Sequence, residues 1–82
     1  MRARVFVILK PSVFDPQGRT IAEALQSIGY GAVEDVRQGK FFDLDLKVDS
    51  VDQARAMATE AADKLLANPV IESYRVEIVA TP

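Results

Sequence analysis

The residue types that most enzymes use for nucleophilic and metal chemistry are missing from this sequence. The 82 residues include no histidine and no cysteine. The chain alone therefore cannot build a Ser-His-Asp triad, a Cys-His pair or a zinc site of the usual nitrogen and sulfur type. Its glycines fit neither G-x-x-x-x-G-K-[ST] nor G-x-G-x-x-G, so no phosphate-binding loop is predicted. We expect no catalytic residue, no metal site and no cofactor bound by this chain.

Two carboxylates remain as candidates for acid–base or magnesium chemistry. Asp43 and Asp45 alternate along a predicted strand, which places both on one face about 6.6–6.8 Å apart by strand rise, near the spacing of catalytic carboxylate pairs. Catalytic pairs usually come from different elements that line a cleft, whereas these two share the polar face of one amphipathic strand. Solubility is the favoured interpretation, and magnesium would have no third ligand in view.

Nucleic acid and membranes are disfavoured as partners. Gly39-Lys40-Phe41-Phe42 weakly resembles a sheet motif that stacks aromatic side chains on RNA bases. However, only one of these two phenylalanines can face the open side of a sheet, and the net charge of −2 would repel a phosphate backbone. No stretch approaches about 18 consecutive apolar residues, the usual length of a membrane span. We expect a cytoplasmic protein.

The first half of the chain contains one predicted strand and one predicted helix. The run from Val5 to Leu9 is β-branched and aromatic and ends before Pro11, which predicts a strand. Asp15 and Pro16 suit the N-cap and the first position of a helix. Gly29 suits the left-handed position after its C-terminus. A helix is therefore predicted between residues 15 and 29.

The second half contains strand, helix and strand signals in turn. From Val36 onward, apolar residues at positions 42, 44, 46 and 48 alternate with polar residues at 43, 45 and 47, which predicts a half-buried strand. Gly39 is either a bend in one long strand or the turn of a hairpin. The bend is favoured because the apolar residues stay at even-numbered positions on both sides of this glycine, from Val36 to Val48. Ser50 begins a capping box that opens a second helix. This helix is predicted to reach about Ala67, where Asn68-Pro69 ends it, and alternation from 73 to 78 predicts a final strand.

The order of these elements predicts the fold class. It is β-α-β-α-β, or β-α-β-β-α-β if Gly39 makes a hairpin. Each helix is apolar on one stripe only, so both helices should cover the same face of a single sheet. We therefore expect an α+β fold of the ferredoxin-like, split βαβ kind, with two helices on one face, as a single domain spanning residues 1–82.

The first strand is apolar on both faces, which suggests self-association. Phe6 and Ile8 point to one side, and Val5, Val7 and Leu9 to the other. Two helices cover one side only, and a large aliphatic side chain left in water forfeits about 1.5–3 kcal/mol relative to full burial. We expect at least a homodimer with Val5, Val7 and Leu9 at the interface, unless the following loop bends over them.

Three segments together carry a family resemblance. They are LKPSVFDPQG at 9–18, VRQGK at 36–40 and LLANPVIESY at 65–74. In order and in length they resemble PurS, the small subunit of bacterial and archaeal formylglycinamide ribonucleotide amidotransferase, over nearly the whole chain. The motif positions are Pro11, Pro16, Gly18, Gly39, Asn68 and Pro69.

The resemblance implies a role in de novo purine biosynthesis. There, ammonia from glutamine converts formylglycinamide ribonucleotide to the amidine at the expense of ATP. A PurS-like chain would be a non-catalytic subunit that joins a PurL-type synthetase to a PurQ-type glutaminase and supports ammonia transfer between them. ATP and magnesium would then be used by the synthetase partner, and the chain would associate with itself as a dimer or tetramer.

The loop between Lys10 and Arg19 is the first candidate for contact with these partners. Its two prolines restrict the backbone and lower the entropy that the loop would lose on docking. The residues expected to contact partners are Lys10, Asp15, Arg19 and Lys40. Prolines also stiffen loops that merely connect elements, so this alternative stays open. An alternative function for the whole chain is a small-molecule-sensing module of the ACT kind, which has the same sheet plan.

Overall fold

A computed structural model describes residues 1–79 of the chain. Its elements are β1 (Arg2–Leu9), α1 (Pro16–Ser27), β2 (Gly39–Asp45), α2 (Val51–Ala61, continued by a wider helical turn at Ala62–Leu66) and β3 (Glu72–Val79). The strands form one antiparallel sheet in the order β2-β1-β3. The predicted α+β fold of the ferredoxin-like kind is confirmed as a three-stranded sheet with two helices.

The ends of the helices follow their sequence signals. Asp15 caps α1 with Pro16 in its first turn, and Gly29 has a φ of +109° just beyond the helix. Ser50 caps α2 by accepting a hydrogen bond from the Gln53 N–H at 3.4 Å. The predicted helix starts and the left-handed glycine are thus confirmed. Neither α1 nor α2 is long and apolar enough to cross a membrane.

The core lies between β1 and α2. Val5 and Val7 are fully buried, and they pack with Ala58 and Ala62 on the face of α2 and its extension. Alanines on this face allow the helix backbone to approach the sheet closely. The prediction that Val5 and Val7 lie at an oligomer interface is therefore wrong, because α2 of the same chain takes up that face. Leu9, at the end of the strand, is half-buried.

Among the described residues, only α2 packs along the sheet, where it contacts β1 and β3. Within residues 1–79, α1 makes no extensive contact with any strand, and the molecule measures 48 × 32 × 13 Å. Both helices were expected to cover one face of the sheet. Within one chain, α2 covers that face and α1 does not. The helix-side residues of β2, among them Phe42 and Leu44, consequently stay partly exposed.

The second strand begins at Gly39 and not at residue 36. Both alternatives for this glycine, the bend and the hairpin turn, are wrong, because the three preceding residues are irregular. The Gln38 N–H donates to the Asp15 carboxylate at 2.7 Å, which removes that donor from any strand ladder. A Cβ at Gly39 would lie 2.6 Å from the Val7 carbonyl oxygen, so close backbone pairing requires glycine here.

Candidate functional site

Three loops meet at one end of the sheet. Leu9 ends β1 opposite Glu72, the first residue of β3, and Gly39 starts β2 opposite Ile8. The segments that leave or enter these strands are therefore neighbours. We call residues 10–15, 36–38 and 67–71 the loop end.

Asp15 clamps the loop end to the start of α1. Its Oδ1 accepts the Gly18 N–H at 2.9 Å and its Oδ2 accepts the Gln38 N–H at 2.7 Å. The residue is only 5% exposed. The bonds from Gln38 and then Gly18 hold the pKa of this carboxyl below its ordinary value. Asp15 is an internal clamp, which corrects the expectation that it contacts a partner.

Gly18 and Arg37 complete the clamp. A Cβ at Gly18 would overlap the Val36 carbonyl oxygen, so α1 and the segment before β2 meet backbone to backbone. The Arg37 guanidinium donates to the Lys10 and Val13 carbonyls at 3.0 and 2.7 Å. Sequence reasoning gave Arg37 no role. Its position in the family segment VRQGK was the only sequence feature that could have pointed to this role. The carbonyls that it contacts lie 27 and 24 residues away along the chain.

The turn before β3 is fixed by Asn68. Its Oδ1 accepts the Val70 N–H at 3.0 Å, and its own N–H donates to Glu72 Oε1 at 2.7 Å. The Lys10 N–H donates to the Ile71 carbonyl at 2.8 Å and joins this turn to the loop after β1. The prediction that Asn68-Pro69 ends the second helix is confirmed. Val70 lies in this turn and is 77% exposed.

The predicted cationic contacts are divided between two places. Lys10 belongs to the loop end, and Lys40 lies next to it, with its Nζ 5.7 Å from the centroid of the Phe42 ring. Arg19 lies on α1, where it forms an exposed ion pair with Glu23 at 3.0 Å. Pro11 lies in the loop after β1, as predicted, in an exposed position. Only the two lysines can therefore act together at the loop end.

The chemistry available at the loop end is binding chemistry. A cleft of about 270 Å³ is lined by residues that include Asp15, Gln17, Gln38, Lys40 and Glu72. Both carboxylates accept hydrogen bonds from backbone N–H groups. The lining has no nucleophile beside a base, as acyl or phosphoryl transfer through an enzyme nucleophile would need.

The carboxylate pair on β2 is held by arginines on the face of the sheet away from α2. Arg4 Nε lies 2.7 Å from Asp43 Oδ1, and Arg2 Nε lies 2.9 Å from Asp45 Oδ1. The bond from Arg4 lowers the pKa of Asp43. Both carboxylates thus serve cross-strand ion pairs. Residues 1–79 contain no group of three or more side chains placed to hold a metal ion.

Asp15→Asn should lower the melting temperature at pH 7, because one amide oxygen cannot replace two carboxylate oxygens that each accept an N–H. The native carboxyl has a lowered pKa, so its stabilisation is complete above the unfolded pKa of about 3.9 and disappears as pH falls through the native pKa. The difference in melting temperature between wild type and variant should therefore shrink below about pH 4. Thermal unfolding followed by circular dichroism between pH 7 and pH 3 measures it.

Asp45→Asn is the matched control for this clamp. Asp45 lies at the opposite end of β2 and its side chain is 76% exposed, so its substitution should change the melting temperature little. A gap between wild type and Asp15→Asn that stays constant or widens in acid would contradict the clamp.

The chain matches the family model of PurS, described as phosphoribosylformylglycinamidine (FGAM) synthase, over residues 2–80. It is 44% identical over 77 residues to the phosphoribosylformylglycinamidine synthase subunit PurS of Bacillus subtilis strain 168, covering 94% of this chain and 90% of that protein. The corresponding subunit of Methanocaldococcus jannaschii is 35% identical over 77 residues, covering 94% and 93%.

Solved structures show the same similarity in three dimensions. The crystal structure of PurS from Methanocaldococcus jannaschii, one of the subunits of formylglycinamide ribonucleotide amidotransferase, superposes with a TM-score of 0.87 at 33% identity and covers 99% of this chain and 98% of that one. A chain of the PurLQS structure from Thermotoga maritima superposes with a TM-score of 0.84 at 30% identity and covers 93% of each. Sequence and fold therefore point to the same relatives.

Proposed function

We propose, because this chain belongs to the PurS family, that it is the non-catalytic small subunit of a phosphoribosylformylglycinamidine synthase in purine biosynthesis. The match to the family model over residues 2–80 carries this proposal. In the assembled enzyme the chain joins a PurL-type synthetase to a PurQ-type glutaminase and supports the transfer of ammonia. ATP and magnesium are used by the synthetase. The complex works in the cytoplasm.

The residues of the chain support a joining role. The sequence lacks the cysteine and histidine that a glutaminase nucleophile and its base would require. The loop end instead offers loops fixed by internal hydrogen bonds, which suits docking. The similarity to a chain of the PurLQS structure from Thermotoga maritima supports an assembly with two further subunits. The test is glutamine-dependent product formation by the synthetase and glutaminase subunits with and without this chain.

The chain also forms a homodimer, in which α1 of one copy covers β2 of the other. Ile21 and Ile28 are 40% and 69% exposed within one chain. Ile21 and half-buried Leu25 lie on one stripe of α1, and Ile28 continues their helical spacing just beyond the last residue of the helix. The helix side of β2 offers the complementary surface, because Phe42 and Leu44 are only partly buried. Each aliphatic side chain that becomes fully buried contributes about 1.5–3 kcal/mol.

The clamp at Asp15 supports the proposal that a second copy supplies this cover. Asp15 and the backbone contact between Gly18 and Val36 fix the direction in which α1 leaves the sheet. With α1 held in this direction, it makes no extensive contact with its own β2. In a dimer with a two-fold axis, α1 of each copy covers β2 of the other copy, so both apolar surfaces are buried in both copies. This arrangement replaces the interface first expected at Val5, Val7 and Leu9.

A further inference from the structure

We infer that α1 of a second copy of this chain packs against the side of α2 that carries Met57, Ala61 and Leu65, in addition to covering β2. We call these three residues the α2 flank. The contact deepens the proposed function and rests on it, because it belongs to the homodimer proposed there. It commits the α2 flank to one partner, a second copy, and it assigns a role to the wide helical turn at Ala62–Leu66.

The α2 flank faces the strand that α2 leaves uncovered. Ala62 is fully buried against the sheet. Asp63 lies on the β3 side of the helix, where its carboxylate accepts a hydrogen bond from the Tyr74 hydroxyl at 2.8 Å. Neighbouring residues of a helix point roughly 100° apart, so Ala61 points to the other side, toward β2. Met57 lies one turn earlier and shares that side.

The wide turn accounts for the position of Leu65. In a regular α-helix this residue would lie close to the sheet-facing line through Ala58, seven residues earlier. In the structure, however, Leu65 is 83% exposed. The Ala67 N–H donates to the Ala62 carbonyl at 3.0 Å, five residues back, so this turn holds more residues than an α-helical turn. Each residue therefore advances less around the helix axis, and Leu65 falls on the side of Ala61.

The α2 flank and β2 together form an apolar trough. Its floor is the helix side of β2, where Phe42 and Leu44 are partly buried. Its wall is the α2 flank, where Met57 is 47% exposed. Packed helices lie about 8–10 Å apart, which is close to two strand spacings of about 4.8 Å. Because α2 lies over β1 and β3, the next helix on this face would lie over β2 and the edge of the sheet.

The dimensions and the apolar stripe of α1 fit this trough. α1 has 12 residues and is about 18 Å long, and β2 has 7 residues and is about 23 Å long. Beside the stripe formed by Ile21 and Leu25, Ala24 is exposed, and two small side chains let α1 approach Ala61 closely. Among the described residues, α1 has no extensive contact with any strand of its own chain. A two-fold dimer buries the stripe and the trough in both copies.

Introduced cysteines test the helix contact directly, because the chain has none of its own. The double variant Ala24→Cys with Ala61→Cys, treated with a short bis-maleimide that links thiols, should run at twice the chain mass of 9.0 kDa in denaturing gels. The matched control is Ala24→Cys with Ala56→Cys. Ala56 is an exposed alanine of the same helix, and it points away from the sheet because it lies two residues from buried Ala58. The control should stay largely at 9.0 kDa.

The role of the wide turn is tested by removing the side chain that it directs outward. Leu65→Ser should fold as wild type does, because the side chain is 83% exposed within one chain. It should weaken self-association at least tenfold, roughly the effect of leaving one aliphatic side chain unburied in an interface. Val70→Ser is the control, because Val70 is equally exposed but lies in the turn after the helix. Sedimentation equilibrium over a series of concentrations measures both.

Each outcome separates the helix contact from the proposals on which it rests. If Ala24 and Ala61 cross-link no more than the control pair, or if Leu65→Ser associates as tightly as Val70→Ser, the inference is overturned. A dimeric wild type would then still support the exchange of α1 onto β2. If the wild type is a monomer, the homodimer fails and this contact fails with it, while glutamine-dependent activity of the reconstituted enzyme tests the joining role separately.

Discussion

Ile28→Glu should convert the proposed dimer into a folded monomer. Ile28 follows the last residue of α1 and is 69% exposed within one chain, so a carboxylate there disturbs a single copy little. In the exchanged dimer the same side chain would be buried against β2 of the other copy. An unpaired charge in such an interface costs several kcal/mol. Sedimentation equilibrium at micromolar concentration should give twice the chain mass of 9.0 kDa for wild type and 9.0 kDa for the variant.

The control for this substitution is Ser27→Glu. Ser27 is exposed at the same end of α1 but lies off the apolar stripe, so it adds the same charge near the same helix terminus without entering the interface. It should remain a dimer. A monomeric wild type would refute self-association, and a dimeric Ile28→Glu would refute the exchange of α1.

Val7→Glu should abolish cooperative folding. Val7 is 1% exposed in the core formed by β1 and α2. A carboxylate buried there without a partner costs several kcal/mol, a large part of the 5–15 kcal/mol that typically stabilises a domain. Thermal and urea unfolding followed by circular dichroism should show no cooperative transition.

Ile8→Glu is the neighbouring control, because Ile8 lies on the opposite face of β1 and is partly exposed. It should unfold cooperatively. A Val7→Glu chain that folds normally but fails to dimerise would contradict the structure and restore the interface first expected at Val5 and Val7.

Local signals predicted the ends of the helices well. The N-caps at Asp15 and Ser50, the left-handed Gly29 and the stop at Asn68-Pro69 were all predicted from sequence and are all present. Each depends on residues within four positions of one another, so the chemistry of the short segment decides the outcome.

The arrangement of the elements was harder to predict because it depends on distant contacts. The sequence of β1 shows that both faces of the strand are apolar, but it does not show that α2 covers the face that contains Val7. The apolar stripe of α1 indicates that this side of the helix needs a covering surface, but it does not show which chain provides it. The start of the second strand was mispredicted because the Gln38 N–H donates to the carboxylate of a residue 23 positions earlier. The alternation of apolar and polar residues does not reveal such a distant partner.

The candidate site was only partly predicted from the sequence, again because it depends on contacts between residues far apart in the chain. The loop from Lys10 to Arg19 was recognised by its prolines, and Asp15 was recognised as a cap. Its second oxygen bonds a distant backbone group, which turns an expected partner contact into an internal clamp.

Glutamine-dependent formation of the amidine is the most direct test of the role assigned to this chain. Synthetase and glutaminase subunits supplied with formylglycinamide ribonucleotide, ATP, magnesium and glutamine should form product when the chain is present. Without it they should form product only when ammonium replaces glutamine, and the chain alone should form none, since it lacks a nucleophile–base pair. A glutamine-dependent rate that is unchanged by omission of the chain would contradict its assignment as the joining subunit.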